Sequence, residues 1–177
     1  MSTDTSPKDH TAYMRLALSC AKQSPPKSSN YCVGAVIVSP SSTPAILATG
    51  YTLELPGNTH AEQCCLQKLA SGHGIPEERV GEVLPPDAEL YTTMEPCNLR
   101  LSGNTPCVDR ILAARFQQSD GKVGGIQKVY IGVKEPEKFV GENEGRKKLE
   151  DAGVEVVHLP GMEDEILTVA TAGHVKG

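Results

Sequence analysis

Residues 88–97 have the sequence AELYTTMEPC, a predicted buried strand that leads directly into a Glu-Pro-Cys turn. Nine residues separate this cysteine from Cys107, where Thr105-Pro106-Cys107 begins a predicted helix over residues 108–116. Thr105 is its expected N-cap, and proline takes the favoured first helical position. Upstream, Thr59-His60-Ala61-Glu62 begins another helix that reaches about residue 70. Histidine and cysteine thus lie at helix starts, where free N–H groups and the helix dipole favour thiolates.

The rest of the chain alternates helical and strand patterns. A hairpin pairs its two strands antiparallel, whereas strands joined through helices come back parallel to one another. We therefore predict an α/β fold, a three-layer α/β/α sandwich with a mixed sheet of about five strands. The additional predicted helices cover residues 11–22 and 144–152, and the additional strands cover residues 33–38, 45–52, 126–133 and 154–159.

The sequence predicts one domain between two terminal segments. Residues 1–9, rich in Ser, Thr, Asp and Pro, are expected to be disordered, and the domain covers residues 10–160. Residues 161–177 form a tail too short for another domain, which is either a disordered end or a lid over the site. The Gly/Pro-rich loop over residues 71–87 is long for a compact domain and is therefore a candidate functional element.

Composition excludes several classes of function. The chain of 177 residues is 38% hydrophobic and 22% charged, as expected for a soluble enzyme. Its net charge of -5 gives no general attraction to nucleic acid, and no run of ~20 apolar residues could span a bilayer. The polar N-terminus has no secretory signal, so we expect a cytoplasmic location, with the nucleus as the alternative. In that setting the six cysteines are reduced thiols or metal ligands.

One histidine and two cysteines, His60, Cys97 and Cys107, predict a zinc site. Three protein ligands leave the fourth position of zinc to water, which distinguishes a catalytic site from a closed structural one. Glu62, two residues after the histidine, is then placed to transfer protons. His-x-Glu followed by Pro-Cys and a further cysteine is typical of zinc deaminases, whose usual cysteine spacing of two residues is nine here.

Each of these residues also has a purely structural interpretation. Glu62 could close a capping box with Thr59, since Thr-x-x-Glu is the usual pattern. His60 could be an ordinary helix-start histidine, and either cysteine could be a buried thiol. The conjunction of all four residues at two helix starts favours the zinc site. The cysteines predicted to pack in the core are Cys20, Cys32, Cys64 and Cys65, and the histidines predicted for the surface or for loops are His10, His73 and His158.

The predicted site supports hydrolytic deamination of an aminated heterocycle. Zinc lowers the pKa of a water ligand towards neutrality. Glu62 can accept a proton, pass it to a ring nitrogen and later protonate the departing ammonia. The reaction exchanges a ring amine for a carbonyl through a tetrahedral carbon.

Five segments carry a family resemblance: residues 30–38 (NYCVGAVIV), Glu95-Pro96-Cys97, residues 103–107 (GNTPC), Glu135-Pro136 and residues 152–156 (AGVEV). Over nearly its whole length the chain resembles the cytidine/deoxycytidylate deaminase superfamily, and within it the pyrimidine deaminase of riboflavin biosynthesis, particularly its fungal form. The wide cysteine spacing belongs to this branch. Two departures stand out: a second proline before Cys107 is missing, and Thr52-Leu53-Glu54 stands where the bacterial enzymes have a histidine.

The resemblance implies a cytidine deaminase-like fold, a zinc cofactor and a homodimer that binds neither nucleic acid nor membrane. Its implied substrate is a phosphorylated 2,5-diamino-6-ribitylamino-pyrimidinone, with the ribosylamino form as the alternative. Asn30 matches a substrate-binding asparagine, and the backbone N–H of Ala61 is expected to contact the pyrimidine. If the tail is a lid, His174 and Lys176 meet the phosphate. No reductase domain follows the last strand, so we expect another protein to carry out the reduction step of the pathway.

Two alternative functions stay open at this point. The first is a deaminase of a cytosine nucleoside, a nucleotide or a tRNA adenosine. The acidic balance and the lack of a basic aromatic stripe disfavour tRNA, and the cysteine spacing disfavours all three. The second is a non-catalytic zinc-binding subunit of a deaminase complex, which would have no need for Glu62.

Overall fold

The computed structural model describes residues 7–100, 102–117, 121, 123–136 and 144–174. Its helices are α1 (Pro7–Ala21), α2 (Ala61–Gly72), α3 (Cys107–Ala113), α4 (Gly145–Asp151) and α5 (Glu163–Ala170), with a 3-10 helix at Glu77–Glu82. Its strands are β1 (Gly34–Val38), β2 (Ile46–Tyr51), β3 (Ala88–Met94), β4 (Phe116–Gln117), β5 (Val123–Gly124), β6 (Ile126–Val133) and β7 (Glu155–His158).

Five strands form one mixed sheet in the order β2-β1-β3-β6-β7. β1 pairs antiparallel with both β2 and β3, whereas β3, β6 and β7 are parallel. A short turn returns β2 antiparallel to β1, and crossovers that contain α3 and α4 bring β6 and β7 back parallel. The predicted mixed sheet is confirmed.

Helices cover both faces of this sheet and complete the predicted three-layer sandwich. On one face, α2, α3 and α4 bury Leu66, Ile111 and Leu149. On the other face, α1 and α5 bury Met14 and Ile166. Every residue of β1 and β3 is buried, as expected for strands covered on both sides. Within the described ranges, every helix is too short or too polar to cross a bilayer.

Both terminal segments contain helix that was not predicted. α1 begins at Pro7, inside the segment expected to be disordered, and residues 1–6 lie outside the described residues. α5 lies in the tail, where it buries Ile166 and Ala170 against the sheet. Acidic residues in its first turn match the helix dipole, and its apolar residues recur at helical spacing. A disordered end is therefore wrong for the described part of the tail.

The long segment after α2 contributes to packing. α2 extends to Gly72, and the 3-10 helix further shortens the predicted loop. Val80 and Leu84 from this segment are fully buried in the core. None of these described residues lines the cavity that His60 and Glu62 border, so the expected functional role of residues 71–87 finds no support.

Candidate metal centre

Three metal-ligating side chains converge beyond the carboxyl end of β3. The Nδ1 atom of His60 lies 3.5 Å from the Sγ atom of Cys97 and 3.5 Å from that of Cys107. The three donor atoms all lie within 4.8 Å of one another, with both cysteines buried and the histidine half-buried. One imidazole nitrogen and two sulfur atoms form a donor set that suits zinc in an open catalytic site.

The start of α3 holds the two cysteines together. The N–H of Cys107 donates to the Sγ atom of Cys97 over 3.3 Å, and the N–H of Val108 donates to the Cys97 carbonyl over 3.0 Å. Both donors belong to the first turn, where a helix leaves its N–H groups without intrahelical partners. α3 begins at Cys107 with Pro106 as its N-cap, so the prediction that Thr105 caps this helix is wrong. Pro106 has extended backbone angles and forms the cap itself.

The structure excludes the capping interpretation of Glu62. The N-cap of α2 is His60, one residue later than predicted, so Gln63 occupies the third helical position. The His60 N–H donates to the Oε1 atom of Gln63 over 3.2 Å. The hydroxyl of Thr59 donates instead to the Leu55 carbonyl over 2.9 Å. The Glu62 carboxyl therefore takes no part in the cap and lines the cavity beside His60.

The buried Glu62 carboxyl can exist in two protonation states. Its Oε1 atom lies 3.0 Å from the Thr92 hydroxyl, which lies 2.8 Å from the Met94 carbonyl. Burial raises the pKa of Glu62, and the neighbouring Cys97 raises it further. Because a hydroxyl has one proton, Thr92 either donates it to the carboxylate or donates it to Met94 while accepting from the carboxylic acid. The Thr92 hydroxyl can therefore hydrogen-bond with Glu62 both as a carboxylate and as a carboxylic acid, the two forms between which a proton-transfer group alternates.

The two cysteines share their protons unequally. A hydrogen bond from the Cys107 thiol, assisted by the neighbouring His60 ring, lowers the pKa of Cys97 to about 4. The same hydrogen bond, together with burial, raises the pKa of Cys107. In the metal-free protein at neutral pH, Cys97 is therefore the thiolate and Cys107 the thiol.

A cavity of about 460 Å³ lies next to the metal donors, a volume that suits a small molecule. Asn30 and His174 line it, and the His174 Nε2 atom lies 2.8 Å from the Asn30 carbonyl oxygen. The His174 ring centre also lies 4.8 Å from that of Tyr31. Ala61 is buried and is not among the lining residues, but its N–H is the first of α2. Lys176 lies outside the described residues.

The cavity lining also includes three charged residues that were not predicted as site residues, namely Glu95, Arg100 and Glu135. The Glu135 N–H donates to the Glu95 carboxyl over 3.3 Å, and burial raises the pKa of Glu95. Glu95 and Glu135 each precede a proline in the motifs of the family resemblance, which is the signal that could have found them. No local pattern marks Arg100, because two of its partners lie 37 and 42 residues away in sequence.

The other predicted cysteines and histidines lie apart from the metal donors. The four cysteines expected in the core are all buried, which confirms that prediction. His73 and His158 are exposed, as predicted. His10 differs, because it lies half-buried on α1. Its Nδ1 atom is 2.5 Å from the Tyr91 hydroxyl, and its ring is tilted by 42° against that of Tyr130, with 4.5 Å between the ring centres. The expectation of a surface or loop position is wrong for His10.

Residues 7–119 match the family model of the cytidine and deoxycytidylate deaminase zinc-binding region, and the chain belongs to this family. The chain is 38% identical over 168 residues to the diaminohydroxyphosphoribosylamino-pyrimidine deaminase of Schizosaccharomyces pombe, which covers 95% of this chain and 36% of that protein. It is 32% identical over 145 residues to the riboflavin biosynthesis protein RibD of Aquifex aeolicus, covering 81% of this chain and 33% of that one. The chain thus spans about a third of the length of these curated relatives.

Solved structures show the same likeness. Rib2 deaminase of Aspergillus oryzae, crystallised as a C-terminal deletion mutant in complex with DARIPP, is 51% identical with a TM-score of 0.79, covering 96% of this chain and 92% of that one. The deaminase/reductase of Thermotoga maritima is 27% identical with a TM-score of 0.67, covering 93% of this chain and 40% of that one. The cytidine deaminase-like fold, the resemblance to the riboflavin branch and the zinc cofactor are confirmed.

Zinc binding should release about one proton per chain near pH 7, because Cys107 must lose its proton whereas Cys97 is already a thiolate. Zinc affinity should accordingly rise about tenfold per pH unit in this range. Calorimetric titration of the metal-free protein in buffers of different ionisation enthalpy measures the proton count. A Cys64→Ala variant, changed at a buried thiol outside the site, should behave like the unaltered protein. Release of no proton would contradict the unequal sharing.

Proposed function

We propose that this protein is a zinc-dependent deaminase that hydrolyses the ring amine of the phosphorylated 2,5-diamino-6-ribitylamino-pyrimidinone of riboflavin biosynthesis. The observation that carries this proposal is the convergence of His60, Cys97 and Cys107 beside the Glu62 carboxyl on one cavity. The relatives named for this pathway, one of them crystallised with DARIPP, support the choice of substrate. The histidine and the two cysteines hold the zinc, which when bound activates water as a nucleophile.

Glu62 moves the protons of the proposed reaction. As a carboxylate it accepts a proton from the attacking water while the new C–O bond forms. As a carboxylic acid it protonates the ring nitrogen. It then takes the proton of the new hydroxyl, which becomes the carbonyl, and passes it to the amine, so that ammonia leaves as the C–N bond breaks. The hydrogen bond to Thr92 keeps the carboxyl oriented in both states. The raised pKa of this buried group makes its acid form accessible during the cycle.

The positions of Asn30 and Ala61 support them as the groups that bind the pyrimidine. Asn30 lies on the cavity wall, where its side-chain amide can pair with ring polar groups. Ala61 is the first residue of α2, and its N–H has no partner within the helix. Together they fix the ring so that its amine-bearing carbon faces the metal and Glu62.

The C-terminal segment is the lid of this proposed site. The Cys32 N–H donates to the Ala170 carbonyl over 3.0 Å. Gly173 packs so closely on the loop before Asn30 that an added Cβ would lie 2.2 Å from the backbone nitrogen of Lys27. These contacts place His174 on the cavity wall, where its ring can donate a hydrogen bond to the substrate phosphate.

We also propose that the protein is a homodimer in the cytoplasm, as the sequence predicts. The family resemblance is the support for the dimer. Sedimentation analysis of the purified protein tests the dimer, and imaging of a tagged chain tests the location.

Replacing Glu62 with Gln should abolish most turnover and stabilise the metal-free protein. Gln keeps the shape and cannot shuttle protons, so turnover should fall by at least about 10²–10⁴-fold. Burial raises the pKa of Glu62 above its ordinary value of 4.5, so ionisation destabilises the fold as pH rises through that raised pKa. At pH 7 the Tm of metal-free Glu62→Gln should therefore lie above that of the unaltered metal-free protein.

An ammonia-release assay and calorimetry measure these two effects. Glu78→Gln is the control, because this exposed acid of the 3-10 helix lies away from the cavity and should change neither quantity. Near-normal turnover in Glu62→Gln would contradict the proposed catalytic role and favour a non-catalytic zinc-binding subunit.

Substrate choice is tested with a panel of aminated pyrimidines. We expect ammonia release from the phosphorylated ribitylaminopyrimidine and none from cytidine, cytidylate or tRNA, since buried polar groups left unpaired penalise a ring that lacks their partners. Asn30→Ala should lower turnover while zinc content stays constant, and Asn104→Ala, at an exposed position away from the cavity wall, should leave both unchanged. Release from cytidine or cytidylate, with none from the riboflavin precursor, would refute the assignment.

A further inference from the structure

Arg100 is a buried cation in the loop between the two cysteines. The residue is 7% exposed, and no ion pair within the described ranges includes it. Burying a charge is unfavourable unless the group is well hydrogen-bonded. The hydrogen bonds that compensate for the burial of Arg100 therefore indicate its role in the site.

Its guanidinium group connects three separate segments. Nη1 donates to the Oε1 atom of Gln63 over 3.0 Å and to the Thr105 carbonyl over 3.3 Å. Nη2 donates to the Asn58 carbonyl. Asn58 and Gln63 flank the metal donor His60, and Thr105 lies two residues before the donor Cys107. A planar guanidinium holds several acceptors in fixed directions, which the ammonium of lysine cannot do.

Gln63 extends this connection to His60 itself. Its Oε1 atom accepts both the Arg100 donor and the backbone N–H of His60, the latter over 3.2 Å. The two cysteines are already held together within their own loop by the hydrogen bond from the Cys107 N–H to the Cys97 sulfur. The histidine belongs to a different element, so its position relative to the sulfur atoms depends on contacts between α2 and this loop.

We propose that Arg100 is a positioning residue of the metal centre, whose guanidinium clamps the His60 segment to the cysteine loop. The three donor atoms are then in place before the metal binds. This inference rests on the proposed zinc ligands and not on deamination or on any substrate. Groups that orient metal ligands without touching the metal typically contribute 10–100-fold to metal affinity.

Zinc affinities of Arg100→Gln and Arg100→Lys, measured by competition with a chromophoric chelator, test the clamp. Both variants should bind zinc about 10–100-fold more weakly than the unaltered protein. Lysine keeps the charge and lacks the planar fork, so wild-type affinity in Arg100→Lys would overturn the clamp. Wild-type affinity in Arg100→Gln would overturn it as well.

Arg110→Gln is the matched control. Arg110 also donates to the Thr105 carbonyl, over 3.2 Å, and forms a partly buried ion pair with Glu77. No hydrogen bond in the described structure joins it to α2, so its loss should lower Tm and leave zinc affinity unchanged. Cobalt(II) substitution adds a spectroscopic measurement, since the visible bands report ligand geometry. These bands should change in Arg100→Gln and not in Arg110→Gln, and equal changes in both would contradict a specific clamp.

Gln63→Leu removes the acceptor of the Arg100 hydrogen bond without changing Arg100. This variant tests the clamp even if the Arg100 variants fail to fold. It should also weaken zinc binding. In combination with Arg100→Gln, its loss of affinity should be smaller than the sum of the two single losses, because both changes remove the bond between Arg100 and Gln63, whereas only Gln63→Leu also removes the bond from the His60 N–H. Additive losses would overturn the proposal. Unchanged zinc affinity in His60→Ala would show instead that the ligand assignment is wrong, which separates failure of the site from failure of the clamp.

Discussion

The meeting of one imidazole nitrogen with two sulfur atoms is the constraint on which the site depends. His60 lies 37 residues before Cys97 and 47 before Cys107, so only the fold can bring these donors together. α2 and α3 pack on the same face of the sheet, and the start of α2 lies unusually close to β2. A Cβ added at Gly50 would lie 2.4 Å from the Ala61 carbonyl. Glycine at this position therefore allows the approach that places His60 beside the cysteine loop.

The chemistry of the site follows from the burial that this packing produces. Removal from water raises the pKa of Glu62, while the hydrogen bond between the cysteines lowers the pKa of one thiol and raises that of the other. Groups that would titrate alike in solution thus acquire different proton affinities within a few ångströms. The packed sheet and its helices supply the stability that keeps these unfavourable buried groups in place.

Regular local patterns made most of the fold and the metal donors predictable. β3 and β6 have the predicted bounds, because long runs of β-branched and apolar residues specify buried strands. The predicted start of α2 differs by one residue, because the local sequence favours a capping box of Thr59 and Glu62, whereas the fold uses His60 and Gln63. Arg100 could not be predicted, because its role depends on partners that are distant in sequence. α5 has an acidic first turn and apolar residues at helical spacing, but its eight residues are too few to establish a helical period from the sequence alone.

An open metal centre with three protein ligands is the central claim, and X-ray absorption at the zinc edge of the purified protein tests it most directly. The account predicts two sulfur atoms at about 2.3 Å and two lighter atoms at about 2.0–2.1 Å, one from the His60 imidazole and one from water. Multiple scattering should show a single imidazole. A shell with three or four sulfur atoms, or with a second imidazole in place of water, would mean a closed structural site and would contradict the account.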